Sequence, residues 1–142
     1  MLDVHIDDFY MDCAAALLTG MRAFPRQQTL FVEDISGPDD VDEFGLHSPR
    51  HSAALGTLQW LQEEGFIRFS SMDRQESVDD FVLTGKAFSR LIAPARPAFL
   101  RDAQQPDSTP FFQLLEYARL QNDSLWVGEL IRHFLSEPVN AG

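Results

Sequence analysis

The step at Gly65 narrows the fold more than any other feature of the chain. Ser48-Pro49 opens a helix, with a hydroxyl N-cap followed by proline at the first helical position. Ala54, Leu55, Leu58 and Leu61 recur at helical spacing and supply its buried stripe, with Trp60 as a further candidate. Gly65 then stops the helix, and Phe66-Ile67-Arg68-Phe69 follows at once as a strand. A chain that turns this sharply from helix to strand needs a residue that accepts φ > 0, which glycine does without penalty. Ser71-Met72-Asp73-Arg74-Gln75-Glu76-Ser77 reads as a polar turn, and Val78 to Leu83 as the returning strand of a hairpin. Thr84 caps a further helix over about 85–92, with Ala87, Phe88, Leu91 and Ile92 inward.

The flanks of this segment are mostly helical. Ile6, Phe9, Tyr10, Cys13, Leu17, Met21 and Phe24 predict a first helix over about 5–22, with Asp3, Asp7 and Asp8 at the positive end of its dipole. Gly20 and Pro25 mark its end region. Thr29-Leu30-Phe31-Val32 is β-prone, whereas Val32 to Ser36 fits a single helical turn, and local pattern does not separate the two. Gly37-Pro38 breaks the chain before the acidic loop Asp39-Asp40-Val41-Asp42-Glu43. Residues 94–110 hold four prolines and read as a connection. A helix then starts at Ser108 or Thr109, with Pro110 in its first turn, and buries Phe111, Leu114, Leu115 and Ala118. A last helix starts at Asp123 and is apolar on more than one face, which is expected of a deeply buried helix or one at an oligomer contact. Trp126, Ile131 and Phe134 are the residues expected at such a subunit or tight intramolecular contact. The expected fold is mainly α with a small β-hairpin, an α+β chain. Residues 1–93 form its first domain, with an acidic insertion at 37–46, and residues 94–142 form a helical extension that packs on it or dimerises.

Composition limits the function classes. The 142 residues include 12 Phe and 2 Trp and are 44% hydrophobic, enough for a sizeable core. The formal net charge is -11, of which −8 falls in residues 1–46, and this argues against non-specific binding of polyanions over the whole surface. The lone Cys13 excludes an internal disulfide and a cysteine-based zinc site, and its place on the apolar stripe marks it as a buried small hydrophobe. There is no signal-peptide pattern and no apolar run near 18 residues, so a cytoplasmic chain without a membrane partner is expected.

Two stretches carry a resemblance. Ala54-Leu55-Gly56-Thr57-Leu58-Gln59-Trp60-Leu61-Gln62-Glu63-Glu64-Gly65-Phe66-Ile67-Arg68 looks like the third helix and first wing strand of winged-helix proteins. Val82-Leu83-Thr84-Gly85-Lys86-Ala87 is similar to the step from the second wing strand into the next helix of that superfamily. The resemblance spans about residues 5–92 and implies a winged-helix domain followed by a C-terminal helical pair. In a DNA-binding regulator of this kind, helix 49–64 would enter the major groove and wing 66–83 would touch phosphates through Arg68 and Arg74. Two departures stand against that role. The insertion 37–46 replaces the usual tight turn between the second and third helices. The third helix is also poor in the Arg, Lys, Asn and Gln that read bases, offering Arg50, His51, Ala53 and Thr57. Some winged-helix proteins, including kleisin-binding subunits of chromosome-organising complexes, bind proteins instead. The expectation is a non-catalytic interaction or adaptor module whose partner is a protein or a second copy, with a DNA-binding regulator as the alternative.

The remaining chemistry is sparse. No Gly-x-Ser-x-Gly elbow, phosphate-binding glycine loop or catalytic Cys/His context is present, so no enzyme and no cofactor are expected. His47 and His51 are four apart, but His47 precedes the N-cap and need not share a face with His51, and loop 39–43 lacks the calcium-loop pattern; no metal is expected at either. His47, Arg50 and His51 are instead expected to meet Asp39, Asp40, Asp42 and Glu43 in an internal ion-pair network that ties the insertion down.

Overall fold

The computed structural model describes residues 4–39, 41–100 and 108–136. Among the described residues the chain is α+β, with six α-helices and a small four-stranded antiparallel sheet. Helix α1 (Val4–Ala23) leads to strand β1 (Gln28–Phe31), the single turn α2 (Glu33–Ser36) and helix α3 (Pro49–Glu63). Strands β2 (Ile67–Arg68), β3 (Ser71–Asp73) and β4 (Ser77–Leu83) follow, then helices α4 (Gly85–Ile92), α5 (Phe111–Leu120) and α6 (Ser124–Ser136). Both readings of residues 29–36 are realised in succession, strand then turn, with Val32 buried at the join.

The Gly65 step and the Thr84 cap form one hydrogen-bonded joint. Ser48 caps α3 by accepting from the His51 N–H at 3.1 Å, and Gly65 leaves the helix at φ +82. The Thr84 hydroxyl donates to the Gly65 carbonyl at 2.7 Å and accepts from the Ala87 N–H at 3.3 Å. Thr84 therefore caps α4 while fixing the turn out of α3, which explains why both motifs lie at these positions. β4 is the hub of the sheet. It pairs with β1 through Gln28–Phe81 and Phe31–Ser77, and with β2 through Ile67–Leu83.

The polar stretch read as one long turn is shorter than expected. Ser71–Asp73 pairs with Ser77–Asp79 as a strand, which confines the turn to Arg74–Glu76. Because β3 is largely exposed, its polar side chains cost nothing there and conceal the strand from a hydrophobicity pattern. The kink between β2 and β3 has a partner at Asp80, which sits at φ +57 and accepts from the Ser70 hydroxyl at 2.7 Å.

α1 lies at the centre of the core. Cys13 to Leu18 are buried without interruption, because α3, α5, α6 and β4 all pack on this helix. Alanines at 14, 15 and 16 let the neighbours come close, and Gly20 completes the run against the sheet. A Cβ added at Gly20 would lie 2.7 Å from Leu83 Cδ2 and 2.8 Å from its Cγ. Gly20→Ala is therefore expected to destabilise by about 1–3 kcal/mol through overpacking despite the better helix propensity of alanine, as read by chemical denaturation.

The C-terminal pair packs on α1 within the same hydrophobic cluster. Its connection is closed by an isolated bridge between Pro94 and Pro110, with the Phe111 N–H donating to the Ala93 carbonyl at 2.8 Å. Pro110 itself occupies the N-cap of α5, so neither Ser108 nor Thr109 caps it. Asp123 does cap α6, accepting from the Trp126 N–H at 3.1 Å. Trp126, Ile131 and Phe134 are buried inside the chain, exposed by 3%, 0% and 1%, and are not free for a second subunit. Their multi-faced apolar pattern arises because α6 is covered from several sides by its own chain. Among the described residues, no helix is long and apolar enough to cross a membrane.

Candidate functional site

Arg50 leaves the expected ion-pair network and turns towards α1. As the second residue of α3 it shares the helix side of Ala54 and Leu61, which faces α1. Its guanidinium grips Asp12 in a fork, with Nη2–Oδ1 at 2.6 Å and Nη1–Oδ2 at 2.8 Å, and its Nε lies 3.6 Å from Asp8. The Asp12 side chain is 1% exposed. Burial pushes its carboxyl above the ordinary value, and the Arg50 guanidinium pulls it back. The main cation of the third helix is thus consumed as the counter-ion of a buried carboxylate.

The insertion anchors itself by other means. Asp42 Oδ1 accepts from the N–H groups of Phe44 and Leu46 at 2.8 and 2.9 Å, closing the loop on itself instead of reaching the histidines. Glu43 is exposed and makes no ion pair among the described residues, while Asp40 lies outside them. Asp39 does meet both histidines. Its Oδ2 is 2.6 Å from His47 Nδ1 and 3.5 Å from His51 Nδ1. The Ser48 hydroxyl and the His47 ring hold the Asp39 carboxyl down at about 2, against the opposing effect of burial. The two rings stack with centroids 4.0 Å apart and planes 9° from parallel. They share a face after all, because the extended Ser48 cap folds His47 back over the first turn of α3.

The exposed side of α3 carries a different surface. Between α1 and α3 runs a groove of about 470 Å³, walled by Ile6 and Phe9 on one side and Ala53, Gly56 and Trp60 on the other. Phe9 meets Trp60 edge-on with ring centroids 5.3 Å apart. The open residues of α3 are Pro49, Ser52, Ala53, Gly56, Gln59 and Glu63, a stripe with no cation.

Of the contact residues expected from sequence, only Ala53 lies open on this face. His51 is buried, and Thr57 is buried with its hydroxyl donating to the Ala53 carbonyl at 3.1 Å, so neither reaches a bound duplex. Arg68 and Arg74 are exposed on β2 and in the hairpin turn, away from the groove lining. In the sequence Ile6 and Phe9 belong to the apolar stripe that predicts the first helix. Their role as a wall shows only once α3 is set beside α1. Burial pushes the Cys13 thiol up, so it stays protonated and unreactive in the core.

No protein-family model, curated protein or solved structure matches the chain.

Proposed function

We propose that the chain is a non-catalytic protein-interaction module of winged-helix type, and that its partner docks in the α1–α3 groove. The observation that carries this reading is the cation-free open face of α3, small at Ala53 and Gly56 beside an apolar groove, where a DNA-binding regulator needs cations. The winged-helix part is supported by the order helix, strand, helix, helix, hairpin, and by the first strand pairing with the last strand of the hairpin. The occupant is an amphipathic helix with apolar anchors and lysine- or arginine-rich flanks. Its anchors suit a groove lined by Phe9 and Trp60, and its flanks suit an N-terminal segment of net charge −8.

A salt titration of duplex binding separates this from the DNA-binding alternative. A regulator with several phosphate contacts loses affinity steeply as salt rises. This chain is expected to show no such binding even at low salt. Tight, salt-sensitive binding of a short duplex that is abolished by Arg68→Ala and Arg74→Ala together would replace docking with the DNA-binding role.

A further inference from the structure

We propose that Asp39, His47 and His51 form a binding site for one divalent transition-metal ion of the zinc class. One potential ligand atom from each of Asp39, His47 and His51 lies within 4.8 Å of the other two. They come from the insertion, from the residue before the N-cap and from the first turn of α3. Tetrahedral zinc with nitrogen and oxygen bonds of about 2.0–2.2 Å holds its donors roughly 3.3 Å apart. The carboxylate oxygen stands 2.6 and 3.5 Å from the two ring nitrogens, and because the rings stack 9° from parallel, His47 must give up its hydrogen bond to Asp39 and swing out of the stack for its Nδ1 lone pair to meet that of His51 on one ion.

A second observation points to a ligand independently. The His51 side chain is 2% exposed, and its Nδ1 is buried without a hydrogen-bond partner. Its Nε2 lies 2.7 Å from the Gln75 carbonyl. A carbonyl only accepts, so Nε2 carries the proton and Nδ1 keeps its in-plane lone pair, with Asp39 Oδ2 3.5 Å away. A backbone carbonyl on the distal nitrogen is the arrangement that fixes tautomer and ring orientation in metal-bound histidines. The hairpin holds that carbonyl in place at a cost in conformation, with Arg74 and Gln75 at φ +52 and +62. Asp39 is oriented in the same manner, its Oδ1 accepting from the Ser48 N–H at 3.2 Å and leaving Oδ2 to the rings.

Two imidazoles among three donors select a transition ion over calcium or magnesium, which take oxygen ligands. Water completes the coordination on the side of His47, whose side chain is 16% exposed. The ion would join the insertion, the start of α3 and the tip of the hairpin, leaving the α1–α3 groove open.

The test is a calorimetric titration of zinc chloride into the metal-stripped, tag-free full chain. Binding at a ratio of one is expected, with a rise in thermal midpoint that a chelator reverses. His47→Gln and Asp39→Asn should each weaken binding by about tenfold or more, and His5→Gln should leave it unchanged. In the wild-type chain, which needs no folded variant, zinc should shift the Nδ1 resonances of His47 and His51 in histidine-detected nitrogen spectra. Unmoved Nδ1 resonances, no saturable binding at micromolar zinc, or full affinity in folded His47→Gln would each overturn the proposal.

Discussion

Arg50→Met is expected to destabilise the chain by about 3 kcal/mol, because it strands Asp12 as an unpaired buried carboxylate. The lower end of the usual range applies because the Arg50 side chain is 34% exposed and water reaches part of the pair. Adding Asp12→Leu is expected to recover most of the loss, since an apolar pair of similar volume avoids the desolvation that the ion pair only offsets. The single variant also acquires a pH signature. Burial raises the folded carboxyl of Asp12 above its ordinary 3.8, and removing Arg50 raises it further. A raised folded value means that stability is greatest below 3.8 and falls as pH climbs to the folded value, where it levels off. Denaturation midpoints at several pH values should therefore decline with rising pH more steeply in Arg50→Met than in the wild type. A pH-independent loss would show that Asp12 finds another partner.

Phe134→Ala is expected to cost about 3–5 kcal/mol, the range for removing a buried aromatic ring. Phe134 is 1% exposed, with its ring centroid 5.1 Å from that of Phe66 and 6.0 Å from that of Phe111. It thereby connects α6 to the helix–strand joint at Gly65 and to α5. Its carbonyl also accepts from Arg90 Nη1 of α4. Since α5 and α6 share one hydrophobic cluster with α1, unfolding of the wild type and of Phe134→Ala should each remain a single transition. Two resolved transitions would show that the C-terminal pair folds independently of the rest.

What the sequence discloses divides along the range of the interactions. The α3 start, the Gly65 turn and the Thr84 cap are local devices, and they are legible because each acts within a few residues of itself. The all-round burial of α1 is not legible, because Ala14 to Ala16 give no periodic signal and α6 lies more than a hundred residues away. β3 was hidden by its polar, exposed side chains. The meeting of Asp39 with His47 and His51 follows from proximity along the chain. The choice of Asp12 by Arg50 spans 38 residues and depends on how α1 packs against α3. The groove shows the same limit. Ala53 and Gly56 stand out as small residues on an accessible helix face, while Phe9 becomes a wall only through tertiary packing.

Docking in the groove is tested most directly at Gly56, where an added Cβ meets nothing within 4 Å, so a larger side chain is expected to leave the fold intact. The measurement is an amide chemical-shift titration of wild type and Gly56→Arg with a lysine-flanked amphipathic helical peptide bearing leucine and phenylalanine anchors. The peptide is expected to move the resonances of Phe9, Ala53, Gly56 and Trp60 in the wild type. Gly56→Arg, which fills the groove and repels the cationic flanks, should bind about tenfold more weakly, a loss of about 1.4 kcal/mol. Unmoved groove resonances in the wild type, or Gly56→Arg binding the peptide as tightly as wild type, would contradict docking in this groove.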